Sequence, residues 1–213
     1  MSEPGIGIKT EKTFDFTGGN LCLDFVNTVE GSRPLEPQRE LLTHYDDLVT
    51  WGLQAHILRD QQASRLLARA ERAPREAATV LEHSVLLREA LFRIFLAVAE
   101  QTSPTVNDLR IMNDALVVAM SHAQIAEQGE EFLWTWPEIG EQLDCVLWPV
   151  LRAAADLLTS EMRYTTRVCA AEDCQWLFLD TSKNHSRRWC DMKSCGNRAK
   201  ARRFSERKRQ HAQ

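Results

Sequence analysis

The chain has 213 residues, 44% of them hydrophobic and 26% charged, a balance that excludes a wholly disordered polymer and supplies enough apolar material for a core. No run approaches the ~20 apolar residues that cross a bilayer, and the first five residues lack the basic and apolar regions of a secretory signal, so the expected protein is cytoplasmic with no membrane partner. The net charge of −4 is unevenly laid out. Residues 1–162 carry 13 Lys+Arg against 25 Asp+Glu, whereas residues 163–213 carry 13 against 5. Such asymmetry points the basic end toward a polyanion, the alternative being an acidic surface of its own chain or of a partner.

Residues 1–13 are polar and contain glycine, and they read as a flexible arm. Gly18, Gly19 and Asn20 break the chain before an apolar stretch at 21–29 that fits two descriptions. Alternation of Leu21, Leu23 and Phe25 fits a strand. Asn20 as N-cap with Leu21, Phe25 and Val29 on one face fits a short helix. Two prolines, a glycine and several charges make 31–40 a loop. Helices then dominate: one capped by Asp46 and carrying Leu48, Trp51, Leu53 and Ala55, and another from about residue 60 to 72. The clearest 3.6-residue period lies between residues 74 and 101, through Leu87, Leu91, Ile94 and Val98. Pro104 opens a helix to about residue 120 with Leu109, Met112, Leu116 and Val117 inward. A hairpin around Gly129 and a last helix over 140–160, disturbed at Pro149, complete a multihelical domain spanning residues 14–162.

This domain offers little chemistry. Asp24, His44, Asp46 and His56 have no spacing that makes them converge, and no nucleophile elbow, phosphate loop or dinucleotide fingerprint is present. Cys22 and Cys145 lie among apolar residues, where a buried, inert thiol is the default. Trp134, Trp136 and Trp148 fit core packing better than a ligand pocket.

Residues 163–213 are more informative. Cys169, Cys174, Cys190 and Cys195 follow the pattern C-x4-C-x15-C-x4-C. In a chain without a secretory signal, paired cysteines at short spacing read as a metal site rather than as disulfides. Two pairs complete a tetrahedral all-thiolate shell for one Zn2+, and four protein ligands leave no open position, so the ion is structural. Between the pairs, 176–179 and 187–189 read as strands joined by a turn, with His185 a turn residue. After Cys195 comes a proline-free basic stretch that reads as a helix. Its Arg198, Arg202, Ser205 and Arg209 make one stripe, while Ala201 and Phe204 are placed to pack on the zinc knuckle. An arginine stripe on a zinc-rooted helix suits phosphates and guanine edges. The candidate nucleic-acid residues are Arg187, Arg188, Lys193, Asn197, Arg198, Lys200, Arg202, Arg203 and Arg209.

The run Cys195, Gly196, Asn197, Arg198, with Cys190 before it and Ala199 to Arg203 after it, resembles the bacterial CGNR zinc-finger family. Cys169 to Cys174 and the segment Phe178, Leu179, Asp180, Thr181, Ser182 also fit its pattern. The stretch from Gly18 to Thr28 resembles the start of the helical ABATE domain that precedes this finger. The resemblance implies a mainly α fold with a multihelical N-terminal domain and a small zinc module, in a stress-responsive transcription regulator. No catalytic residue is expected. The implied partner is DNA; the expected partners are DNA before RNA, with a second copy of the chain as a homodimer and a small-molecule effector as further candidates for the helical body. The alternatives are an RNA-binding accessory protein, or a ligand-binding or protein-interaction protein with a purely structural zinc.

Overall fold

The computed structural model describes residues 12–31 and 39–210; residues 1–11 of the arm expected over 1–13 and most of the expected loop at 31–40 lie outside them, while Lys12 is held on the body by the Leu41 carbonyl and Asp47. Helix α1 (Leu21–Val26) settles the ambiguous stretch. Asn20 stands in extended conformation before it, and its side-chain oxygen accepts the Cys22 N–H at 2.9 Å. Five of its six residues are buried, because α1 is central to the core. A helix covered on every side loses the one-faced pattern that distinguishes helix from strand.

Strands β1 (Val29–Glu30) and β2 (Arg39–Glu40) pair antiparallel. Helix α2 (Tyr45–Gln54) begins two residues earlier than a cap at Asp46 implies; His44, not Asp46, stands at the N-cap position. The Asp47 carboxylate does the work instead, accepting the N–H groups of Thr43 and His44 at 2.8 and 3.0 Å. Helix α3 (Asp60–Arg72) is followed at once by α4 (Pro74–Ala99). Pro74 opens α4 where a missing N–H costs nothing, and Leu87, Leu91 and Ile94 are buried as their spacing requires. Thr105 caps α5 (Val106–Ser121) through its hydroxyl. Val117, expected inward, is 71% exposed. Strands β3 (Gln124–Gln128) and β4 (Glu131–Thr135) form the hairpin, turning at Gly129. Helix α6 (Leu147–Thr159) starts later than residue 140, so Pro149 falls in its first turn and does not disturb it.

Trp51, Trp148, Phe25 and Phe95 fill the centre of the core, with α1 packed against α4 and α6. This core does not stop at residue 162. Strand β5 (Thr166–Val168) pairs antiparallel with β6 (Leu177–Leu179). Alternate β6 side chains point opposite ways: Leu177 and Leu179 enter the helical core, while Phe178 joins a second cluster made with the four cysteines. The hairpin of the module is thus β5 with β6, folded across the first cysteine pair. The partner expected for 176–179, residues 187–189, is a loop that touches the first pair through one bond, Ala170 N–H to the Arg188 carbonyl at 2.8 Å.

Polar contacts fix β6 to the body. The Asn27 side-chain amide, almost fully buried, donates to the Leu177 carbonyl at 2.9 Å, and its oxygen accepts the Leu177 N–H at 3.0 Å. The Trp176 indole N–H reaches the Val29 carbonyl at 2.8 Å, and the Leu179 N–H reaches Gly18 O at 2.8 Å. Gly18 is required by space: an added Cβ would stand 2.9 Å from Leu23 Cβ and 3.1 Å from the Asp24 main-chain nitrogen. Its N–H is held by the Asp24 carboxylate at 2.8 Å. Above the body, buried Arg88 on α4 donates to both oxygens of Glu40 at 2.6 and 2.7 Å and to the Thr28 carbonyl, tying α4 to the β1–β2 ribbon.

Replacing Asn27 by Ala strands two buried main-chain groups of Leu177, each costing ~1–3 kcal/mol. Chemical denaturation of N27A should show a loss of roughly 2–4 kcal/mol, and a loss within error of zero would mean the amide is dispensable. Asp24 gives a pH signature. Burial pushes its carboxyl up to about 6, against the opposing Gly18 N–H bond. A raised folded-state value means the protonated form fits the fold better, so this group's stabilisation is complete below the unfolded value near ~4 and is lost as pH rises through 6. Asp24→Asn keeps the acceptor for Gly18 without the charge. Its melting temperature should fall less than the wild type's between pH 4 and pH 7, as followed by circular dichroism.

Candidate metal centre and basic helix

The first cysteine pair sits on the turn that joins β5 to β6. The second flanks a turn that starts at Asp191, whose carboxylate accepts the Ser194 N–H at 2.7 Å. That turn is a wide π-helical one over Met192–Gly196 and leads directly into α7 (Asn197–Gln210). Gly196 leaves room for the Met192 thioether, whose sulfur would stand 2.6 Å from an added Cβ and would have to swing aside. The Arg187 N–H and the Ser182 N–H and hydroxyl converge on the buried Asp180 carboxylate and close the loop between the pairs. His185 hydrogen-bonds the Asp180 carbonyl through Nδ1 at 3.0 Å, so it is a turn residue and not a ligand.

All four cysteines are buried, and their sulfurs lie within 4.8 Å of one another. Cys174 and Cys195 each sit 3.6 Å from Cys190. A tetrahedron of thiolates at ~2.3 Å from zinc has edges of ~3.8 Å, so the sulfurs stand where the ion requires them. Without metal, Cys169, Cys174 and Cys190 share protons unequally. Hydrogen bonds from the Cys174 and Cys190 thiols hold Cys169 far below the usual thiol range, and that same contact pushes Cys174 and Cys190 up. Zinc therefore displaces protons as it binds. The centre holds one structural zinc.

Arg198 donates to Cys195 Sγ at 3.1 Å, the kind of N–H···S contact that offsets the negative charge of a tetrathiolate. Its guanidinium also lies 3.9 Å from Asp173. Arg202, one turn on, meets Asp173 at 2.8 Å and Glu172 at 3.4 Å. The expected orientation of α7 is thereby corrected. The Arg198–Arg202 stripe faces the acidic turn between Cys169 and Cys174, while Ala201 and Phe204 are exposed. Glu172 and Asp173 lie beside the zinc turn and pair with the guanidinium groups of this stripe, while the apolar cluster of the module is filled by Phe178, Trp176 and Trp189 without Phe204.

The remaining candidates divide. Arg187 is turned inward, its guanidinium donating to the carbonyls of Trp189, Leu179, Thr17 and Cys190 and stacked 4.5 Å over the Phe178 ring; the phosphate role expected of it gives way to that of a clamp between body and module. The Asn197 amide donates to the Lys193 carbonyl at 3.0 Å. Arg188, Lys193 and Lys200 are exposed, and Arg188 lies 5.5 Å over Trp189. The side chains of Arg203 and Arg209 are outside the described residues. Arg207 and Lys208, which belong to the same basic run but were not among the candidates, are also exposed on α7. Sequence reasoning missed Asn27, since a single buried amide carries no periodic signal.

Between body and module is a cleft of about 360 Å³, bounded by Asp15, Glu30 and Arg39 on one side and by Cys174, Cys190, Cys195 and Arg198 on the other. Cys22 and Cys145 are fully buried, and burial pushes both thiols up, Cys145 to about 11, so neither is a reactive thiolate. Among the described residues no helix is long and apolar enough to cross a membrane.

The architecture is that of a helical domain carrying a closed four-cysteine zinc module and a terminal basic helix. Residues 19–161 match the ABATE family, described as "Putative stress-induced transcription regulator", and residues 166–208 match the CGNR zinc finger. The chain belongs to the ABATE family and ends in a CGNR finger. A search of the curated proteins finds no match.

The purified protein should contain about one equivalent of zinc with Zn–S distances near ~2.3 Å by X-ray absorption. Cys190→Ser should abolish tight binding, and acidification should release the ion as thiolates protonate. A zinc content unchanged in C190S would show that the ligands lie elsewhere.

Proposed function

We propose that the protein is a cytoplasmic, non-catalytic regulator of transcription that binds DNA through its zinc module. The observation that carries this reading is the basic helix α7, rooted on the zinc turn, with Arg188, Lys193, Lys200, Arg207 and Lys208 exposed. Cations on a rigid, metal-anchored element suit a phosphate backbone. The four thiolates fill the zinc shell, which favours a binding role over metal-assisted chemistry. The family description supports the regulatory and stress-related part.

The helical domain is the proposed sensor. An apolar cleft of about 550 Å³ lies between α4, α5 and α6, floored by Leu87, Leu147, Trp148 and Leu151 and rimmed by His83, Asp114 and Asp144; this supports a small effector with an apolar body. Exposed Ile125, Phe132 and Trp134 on the β3–β4 hairpin support pairing of two copies.

Titration of labelled duplex DNA against the zinc-loaded protein tests the reading. With about five phosphate contacts, log affinity should fall against log salt with a slope near −4 to −5. Chelation of zinc should reduce affinity at least tenfold by releasing α7 from its anchor. Binding that persists unchanged in the metal-free protein would defeat the proposal, and a clear preference for structured RNA over duplex DNA would move it to the RNA-binding alternative.

A further inference from the structure

We propose that α7 meets nucleic acid with the side turned away from the zinc turn, and that Phe204 on that side stacks on a base that is unpaired or has been unstacked. The inference rests on the nucleic-acid reading above and adds the face, the aromatic contact and the state of the base.

The contacts of Arg198 and Arg202 with Cys195, Asp173 and Glu172 set the rotation of the helix. At 3.6 residues per turn, Lys200, Phe204 and Arg207 fall on the side away from that stripe, with Lys208 beside Phe204. All four are exposed. Lys200, Arg207 and Lys208 have no ion-pair partner among the described residues.

Phe204 is 65% exposed and belongs to neither hydrophobic cluster. It is the sole large apolar side chain on α7, and the Lys208 ammonium stands 5.6 Å from its ring centroid. A phenyl ring with one cation beside it and two more on the same side of the helix matches the chemistry of a nucleic acid, where charged phosphates flank flat apolar base faces. Two of the three cations are lysines, which bind phosphate as point charges and lack the planar fork that reads guanine. The surface is therefore suited to backbone and stacking rather than to base edges. A fully paired, straight duplex offers a ring no base face; a bulge, a mismatch or an easily opened step does. Arg198 and Arg202 are positioning residues: they hold α7 on the knuckle so that the other side is presented.

The test uses the full-length, zinc-loaded protein and fluorescence anisotropy with two duplexes of equal length, one fully paired and one carrying a single unpaired base, over a salt series. The wild type should favour the bulged duplex by roughly tenfold. Phe204→Ala should remove that preference and leave the salt slope unchanged, while Phe204→Trp should retain it. The triple variant K200A/R207A/K208A should flatten the slope by about two to three. Arg198→Ala with Arg202→Ala should speed zinc loss to a chelator without changing the slope of the zinc-loaded form. A preference that survives in Phe204→Ala, or a slope that responds to Arg198 and Arg202 but not to the triple variant, overturns the inference while leaving nucleic-acid binding intact. Failure of the wild type to bind either duplex overturns the functional reading as well. Binding to polyglutamate that is lost in the triple variant would assign this face to an acidic protein instead.

Discussion

The two hydrogen bonds between the Asn27 side chain and the main chain of Leu177 join residues 150 positions apart, and much of the architecture depends on them. They place β6 so that Leu177 and Leu179 close the helical core while Phe178 turns toward the cysteines. One strand thereby belongs to two clusters. A buried amide that pairs with both the N–H and the C=O of one residue imitates a strand partner, and it does so where α1 has ended and no strand of the body is available. The zinc module is therefore seated in the helical domain and not suspended from it. Arg187 adds a second clamp, since its guanidinium gathers carbonyls from the N-terminal Thr17 and from the module's own turn.

The charge layout follows from the same seating. The helical body is strongly acidic and the module strongly basic, so the molecule has a large electric asymmetry. Asp173 and Glu172 pair with the two arginines nearest the metal, Arg198 offsets thiolate charge, and the cations left over, Arg188, Lys193, Lys200, Arg207 and Lys208, lie before, between and beyond them in the chain. In the field of a polyanion such a molecule is turned before it touches: the acidic body is repelled, the tip of α7 attracted, and approach is oriented over distances of about a Debye length.

Much of this was legible in the sequence. The zinc ligands follow from spacing alone, α4 from apolar periodicity, and the end of α3 from the proline at 74. What was not legible has physical reasons. Helix α1 is buried all round, so its pattern could not separate helix from strand. Pro149 falls in the first turn of α6, which only the start of the helix at Leu147 makes harmless. The partner of β6 was misread because 187–189 resembles a strand in composition, whereas the pairing is decided by Asn27 and Gly18 far away in the chain. The rotation of α7 was misread because burial of Phe204 was weighed without the acidic pair at 172 and 173. A helix wheel shows which residues share a face; it cannot show which face a distant charge selects.

The seating of β6 also has a consequence for how the molecule is made. Translation proceeds from the N-terminus, so the six helices of the body emerge before the strand that completes their core. Until Leu177 and Leu179 arrive, the apolar socket beside α1 and the Asn27 amide stand open to water. The same few residues that fill this socket are flanked by Cys174 and, further on, by Cys190 and Cys195. Completion of the body's core and closure of the metal site thus fall to one stretch of chain, and loosening of that stretch on loss of zinc would open a surface in the domain that binds no metal at all.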